Sequence, residues 1–404
     1  MTIDLSTITF TNQADVVPMS GQDDILNPGI ANTLAGNDTI TGIGRYDVYN
    51  PGPGGINGIV NSGTFNTGEG NDIITGSGGL RGIVNSGTFN TGEGKDIITG
   101  SGSYYNGIVN SGTFNTGEGN DVITGSSSKS LGISIDDGST LDTGNGNDRI
   151  SGNGSAGIYN GSITFNTGDG NDTIEGSGRL YGIENKGLIN TGNGKDTIIA
   201  IGSGRALLNR NFSTIDTGDG DDIITANGYY SYIDNYGTID TGDGDDIITA
   251  SGSIENTGTI DTGNGKDSII AYGLSIDTDG TINTGDGNDI ITSIPGIGND
   301  GIINTGNGAD SIIANGGFSG MGSVFLGNGK DYLNGFGTGK FKGGNNQDTL
   351  ELRSGTYTVG ISGTTVSFTY SGVIMQTSEF EKLIAGSTTY DFTSLTEDQT
   401  IVVP

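Results

Sequence analysis

Aliphatic residues recur along the chain at a fixed place in a repeated phrase. Ile74, Ile98, Ile123, Ile150, Ile174, Ile198, Ile224, Ile248, Ile269, Ile291, Ile312 and Leu333 each stand two residues after an aspartate in the pattern Thr-Gly-x-Gly-x-Asp-x-Ile. The position between aspartate and aliphatic varies freely, and alternation of this kind marks a strand with one buried face. Two residues further on the column turns to Gly, Ala or Ser, which suits an inward position where the chain bends. A second strand precedes the turn, with Phe65, Phe89, Phe114, Leu141, Phe165, Ile189, Ile215, Ile239, Ile260, Ile282, Ile303 and Phe325 as its inward residues. A third column lies about six residues earlier: Ile59, Ile83, Ile108, Ile158, Ile183, Ile233, Ile254, Ile276 and Ile297, with less regular spacing near Ile133 and Leu208. Each repeat thus supplies three anchors on short strands separated by Gly-rich corners.

One such repeat cannot close a core, so successive repeats must stack as parallel rungs. The expected fold is all-β, a parallel β-solenoid or β-roll of about twelve rungs. At a strand spacing of about 4.8 Å the rungs would build a rod roughly 55–60 Å long. Repeat length varies in stretches such as "GSGSYYNG" and "ANGYYSYI", which maps to the corner away from the Gly turn. Asn61, Asn85, Asn110, Asn160, Asn185, Asn235 and Asn256 form one polar column, and Asn66, Asn90, Asn115, Asp142, Asn166, Asn190, Asp216, Asp240 and Asp261 another. Both are read as stacked side-chain ladders that satisfy turn backbone.

Composition sharpens this picture. Of 404 residues 79 are Gly, none is Cys, His or Trp, and 47 acids against 16 bases leave a net charge of −31. A Gly-rich acidic chain can be disordered, but these apolar residues are ordered in columns. The charge disfavours nucleic acid, whose phosphates need a basic surface, and favours divalent cations. Without Cys there is no disulfide frame or thiolate chemistry. No apolar run is long enough to span a membrane, so no membrane insertion is expected. The polar start, Met1 to Pro18, lacks the regions of an ordinary signal peptide.

Stacking has an electrostatic consequence. The aspartates Asp72, Asp96, Asp121, Asp148, Asp172, Asp196, Asp222, Asp246, Asp267, Asp289, Asp310 and Asp331 fall above one another. Unit charges 4.8 Å apart repel by about 0.9 kcal/mol in water and about 3.5 kcal/mol at an effective dielectric of 20. Acids at the third turn position, among them Glu69, Glu93, Glu118 and Asp169, add to the crowding. Cations between rungs would relieve it. With carboxylate and carbonyl oxygens as the donors on offer, Ca2+ is favoured over zinc, copper or iron. Glycines at Gly68 and Gly70, Gly92 and Gly94, and Gly117 and Gly119 let the backbone reach positive φ and aim its carbonyls. The competing reading is that Asp only caps a Gly turn through its own backbone.

The turn resembles the Gly-Gly-x-Gly-x-Asp nonapeptide of the repeats-in-toxin, haemolysin-type calcium-binding family. The likeness runs from Gly36 to Asp348, with weak copies at "GQDDI" (21–25) and "GNDTI" (36–40). It implies that Asp72 through Asp331 are side-chain ligands of Ca2+ held between adjacent coils, with the paired turn glycines completing each loop. Three departures stand out. The first turn position is mostly Thr rather than Gly. The fifth is Lys at Lys95, Lys195, Lys266 and Lys330, which would weaken those sites. The family's nine-residue period puts a calcium turn on both edges of the roll, whereas here only one edge carries it, so one ion column is expected.

Beyond Gly335 the pattern fades through "GGNNQDTLEL" into a tail that alternates as antiparallel strands would, in "GTYTVGI", "TTVSFTY" and "GVIMQT". Its close, "FEKLIAGSTTYDFTSL", resembles the C-terminal region of type I secreted proteins of that family, notably cyanobacterial ones, which implies an uncleaved C-terminal export signal. The expected organisation is an N-terminal cap over 1–50, a calcium-binding solenoid over 51–335 and a C-terminal β cap over 336–404. The functional expectation is a secreted, calcium-dependent structural protein of the cell surface or extracellular matrix: a sheath, surface layer, fibril or adhesive rod. Its expected partners are Ca2+, further copies of itself joined end to end, or a cell-surface polysaccharide. A polysaccharide-modifying enzyme on a β-helix is the first alternative, but no His and no unrepeated acid–base cluster stand in the sequence, so no enzyme is expected. An ice-binding module is the second; it would want a Thr array, whereas the outward third turn position is Glu, Asp or Asn. Tyr104, Tyr105, Tyr229, Tyr230, Tyr232 and Tyr236 lie in the variable corners, where aromatics can mark contacts.

Overall fold

The computed structural model describes residues 2–17, 24–44, 57–228 and 232–404. These form two compact units, Met1–Gly218 with Ile224–Ser231, and Asp219–Ile223 with Tyr232–Pro404. Each is a stack of parallel β coils.

In the first unit a coil carries three strands, for instance Ile59–Asn61, Thr64–Asn66 and Ile73–Gly78. The next coil repeats them as Ile83–Asn85, Thr88–Asn90 and Ile97–Gly102. Equivalent residues pair in parallel without slip: Ile59 with Ile83, Phe65 with Phe89, Ile74 with Ile98. All six are buried, as the period-2 pattern requires. The Phe column packs ring on ring, with Phe65 and Phe89 centroids 4.8 Å apart edge to face and Phe89 and Phe114 4.5 Å apart stacked. Such ring pairs add to the area they bury. Two residues after Ile74 the coil pinches. A Cβ at Gly76 would stand 2.5 Å from the Gly82 carbonyl oxygen and 2.6 Å from Ile83 Cγ1, so only Gly fits. Further along, Ala200 takes the equivalent place opposite Gly176. The bend between third and first strands smooths out in Arg149–Asn160 and Thr173–Asn185, each one continuous strand.

The second unit is built alike. Ile260, Ile282 and Ile303 form one buried column, and Ile269, Ile291 and Ile312 another. It ends in a cap. Gly355–Ser362, Thr365–Tyr370 and Val373–Ser378 form an antiparallel meander, and Thr400–Val403 pairs antiparallel with the first of them. The meander and its sequence agree. The cap is joined to the coils in parallel: Val373–Ser378 lies along Lys340–Asn346, and Lys382–Ala385 along Thr349–Leu352.

The columns differ from the sequence reading at three places, and one position it left open is filled. Leu207, not Leu208, pairs with Ile183. Leu274 takes the place expected of Ile276, which instead lies on the Asn column beside Asn256. Ile135 does the same beside Asn110 and Asn160. Val324 pairs with Ile303 and is buried, while Phe325 faces outward at 39% exposure. At Leu207, Leu274 and Ile135 the corner changes length, so that counting from the turn places the residue wrongly, whereas Val324 stands seven residues before Asp331 just as Ile303 does before Asp310, and the aromatic beside it was the wrong choice. Both polar ladders form. Asn61 Nδ2 donates to Asn85 Oδ1 and to the Thr88 carbonyl, each at 2.8 Å, and Asn85 repeats this toward Asn110 and Thr113. The outer column is looser, with Asn90 Nδ2 donating to Asn66 Oδ1 at 3.0 Å. Tyr104 and Tyr105 are exposed in the corner as expected; Tyr229, Tyr230 and most of the "GQDDI" copy lie outside the described residues.

Candidate metal site

The turn Thr67–Asp72 is shaped by its glycines. Gly68 and Gly70 have φ of +90° and +145°, Gly92 and Gly94 +94° and +148°, and Gly117 and Gly119 +88° and +155°. Close stacking forbids any side chain there as well: a Cβ at Gly92 or Gly94 would overlap the carbonyl oxygen of Gly68 or Gly70 in the coil before. Those carbonyls therefore point along the stack. The turns are pinned by backbone bonds from Thr67 N–H to the Asn90 carbonyl at 3.0 Å and from Gly70 N–H to the Glu93 carbonyl at 2.8 Å.

The aspartates align as one column in each unit, and they point inward. All twelve predicted from the sequence, Asp72 through Asp331, are buried. Each backbone N–H donates to Oδ1 of the aspartate in the following coil. In the first unit this runs from Asp38 to Asp72, Asp96, Asp121, Asp148, Asp172 and Asp196 at 2.7–2.8 Å. In the second it runs from Asp222 to Asp246, Asp267, Asp289, Asp310, Asp331 and Asp348 at 2.7–3.0 Å. The carboxylate thus serves a neighbouring coil, not its own turn, and each is a rivet between rungs. Asp38 and Asp348 were outside the twelve, although "GNDTI" and "NQDTL" carry the signal.

The other oxygen is the telling one. Among the described residues Oδ2 of Asp38, Asp72, Asp96, Asp121, Asp148 and Asp172 is buried with no hydrogen-bond partner, and the same holds for Asp246, Asp289, Asp310, Asp331 and Asp348. A buried threonine stands five residues before most of these aspartates, Thr67 before Asp72 and Thr91 before Asp96, and Leu326 and Gly343 take its place before Asp331 and Asp348. The threonine partly offsets the cost of burial, but its hydroxyl has a single proton. In Thr67 that proton goes to the Thr91 carbonyl at 3.0 Å, and Thr91 likewise donates to Thr116 at 3.1 Å. At Asp267 the choice is reversed, with Thr262 Oγ1 donating to Oδ2 at 2.7 Å. Desolvation accordingly pushes the carboxyls up, to about 6 for Asp72, Asp148, Asp196, Asp267 and Asp310 and to about 7 for Asp121, Asp172, Asp246 and Asp331. An ionised carboxylate in this setting needs a partner.

The residues fit a hard cation. Among the described residues no three acidic side chains gather at one point, so a cation at Oδ2 would draw its other ligands from carbonyl and hydroxyl oxygens, donors suited to Ca2+. The third and fifth turn positions face outward: Glu69, Glu93, Glu118 and Lys95 are exposed, so Lys95 stands away from the inward carboxylate it was expected to disturb.

The C-terminal cap completes the second column. Asp348 N–H donates to Glu381 Oε2 at 2.7 Å, and Gly344 N–H to the Glu379 carbonyl at 3.0 Å. The first is the bond that a further turn would have made. Glu381 stands where the next aspartate belongs, a role with no signal in the repeat pattern.

No protein family model matches the chain, and no curated protein matches it. Among solved structures it is similar to a hyperactive, Ca2+-dependent, β-helical antifreeze protein from an Antarctic bacterium, at 17% identity over 96% of each chain and a TM-score of 0.40. Similarity at that level assigns neither function nor ligand.

Proposed function

We propose that this chain is a secreted, calcium-dependent structural protein of a cell surface or extracellular matrix, folding as Ca2+ enters its turns. The observation that carries the reading is the column of buried, unpartnered Oδ2 atoms. In the absence of protons or cations they would be a repeated destabilising element at the centre of each stack. Calcium bound there supplies the missing positive charge and adds its binding free energy to folding. Held by Oδ2 and turn oxygens alone, such sites belong in the range of about 10⁻⁴–10⁻³ M of extracellular calcium modules, so the chain would fold once outside the cell. The same identical coils argue for a structural role over catalysis: the buried acids repeat one environment, while an acid–base pair needs two different ones. No helix among the described residues is long and apolar enough to cross a membrane. Circular dichroism during calcium titration tests the proposal. A β signal and melting temperature that rise with Ca2+ and collapse in EDTA are expected; a chelated sample with unchanged melting would remove it.

A second reading has one observation in its favour. Thr64, Thr88, Thr113, Thr140 and Thr164 stack in register on the outward side of the short strands, two residues before Asn66, Asn90, Asn115, Asp142 and Asn166. The threonine array missing from the turns is thus present on a strand face. As an ice-binding surface it would give thermal hysteresis in the calcium form, lost in Thr88→Lys with Thr113→Lys.

A further inference from the structure

The cations of the first unit are not spread evenly over its acidic surface. Arg81, Lys129, Arg179 and Arg205 all lie on the segment that carries the chain from the third strand of one coil to the first strand of the next. Their coils are stacked, so they form a ridge. Tyr105 N–H donates to the Leu80 carbonyl, Ser128 lies on Ser103, and Tyr181 pairs in register with Arg205. Exposed aromatics fill the ridge between the cations. Lys129 Nζ sits 4.0 Å from the Tyr104 ring centroid and Arg81 Cζ 5.0 Å from that of Tyr105. Tyr104 and Tyr105 are about half exposed, and Leu180 more so. Among the described residues Arg81, Lys129 and Arg179 have no ion-pair partner, whereas Arg149, Lys186 and Arg210 each hold a glutamate. In a chain of net charge −31, three unpaired cations with tyrosines on one line form a surface of opposite sign to the rest.

The complement of that ridge is on the same unit. At the other end of the six-residue strand Ile73–Gly78, about 20 Å away by strand rise, the outward third position of the Gly turn gives an acidic line: Glu69, Glu93, Glu118 and Asp169, all exposed. Arg81, Lys129 and Arg179 stand on alternate coils, those of Glu69, Glu118 and Asp169, and Glu93 falls on the coil between the first two. Their spacing therefore matches that of the carboxylates on the same coils, whatever the coil distance, and a cation ridge on one copy meets a carboxylate ridge on another at every second coil. The two ridges lie at opposite ends of a strand and cannot meet within one coil.

We propose that the Arg81–Lys129–Arg179 ridge docks on the Glu69–Glu93–Glu118 ridge of a second copy of this chain, joining coils side by side. The contact is heterologous, since each copy offers one ridge of each sign, and it repeats into an open lateral array. Complementary charge sets the register and speeds encounter, and tyrosines supply the buried area. The inference rests on the structural reading above and gives its assembly a direction, lateral where the sequence suggested end to end.

Two charge-reversed full-length chains test it: R81E/K129E/R179E and E69K/E93K/E118K, each checked by circular dichroism in Ca2+ and in EDTA. Sedimentation in calcium at low salt should show assemblies for the unaltered chain that dissolve as salt rises. Each variant alone should associate about tenfold or more weakly, and an equimolar mixture of the two should recover assembly, because native ridges of opposite sign again face one another. An unaltered chain that is folded yet monomeric, or variants that assemble as it does, would overturn the proposal. A chain whose fold ignores chelation would remove the calcium reading and leave the sedimentation result to decide this one.

Discussion

A carboxylate that accepts a hydrogen bond on one oxygen and nothing on the other makes two opposite demands, and substitutions separate them. Asp172 Oδ1 accepts from Asp148 N–H at 2.7 Å, while Oδ2 is unpaired and burial raises its carboxyl to about 7. Asp172→Asn keeps an acceptor for the amide and removes the buried charge. Its chelated form should melt higher than the unaltered chain, by about 1–2 kcal/mol in stability, whereas its gain on adding calcium should shrink. Asp172→Ala deletes the acceptor too and should lower stability in both conditions. Calorimetry with and without Ca2+ checks the pair; an Asn variant whose gain on adding calcium is undiminished would show that Oδ2 holds no ion.

At the scale of turns and strands, the glycines are constrained by stacking more than by turn conformation, and this too is measurable. Gly94→Ala places a methyl on the Gly70 carbonyl with φ at +148°, and should cost about 2–4 kcal/mol. Gly138→Ala, at φ +75° with open space around it, should cost about 1 kcal/mol. Equal costs in urea melts would mean that the coils are not packed this closely. In the amide ladder, Asn85→Ala strands the Asn110 and Thr113 oxygens and should cost about 2–4 kcal/mol. The strands, the turn and the two polar ladders were legible because each rung restates them, so that period-2 alternation read once is read many times. What stayed hidden depends on the coil next door. The inward aim of the aspartates, the Thr67 hydroxyl bonded to Thr91 and the choice of Leu274 over Ile276 follow from register between coils, which a single repeat does not encode. Glu381 was hidden for the same reason: it imitates a repeat in space with no copy of its sequence.

For the molecule as a whole, the raised carboxyls make protons and calcium alternatives for the same oxygens. The aspartates named above rise from about 4 in an unfolded chain to about 6 or 7 when folded. Between those values the folded state holds more protons than the unfolded one, so stability without metal falls as the pH rises. It is greatest below about pH 4, where the column is protonated in either state, and is lost as the pH passes 6 to 7. The net charge of −31 works in the same direction through self-repulsion. Calcium requires the ionised column and reverses the trend: its stabilisation should be small at pH 5 and largest above pH 7, with protons released on binding. Chelated samples should therefore melt higher at pH 5 than at pH 8, while calcium-loaded samples do the opposite, and titration calorimetry in buffers of different ionisation enthalpy should count the protons released. Parallel pH profiles in EDTA and in calcium would show that the ions bind elsewhere, at the exposed acids of the third turn position, and leave the buried column to its protons.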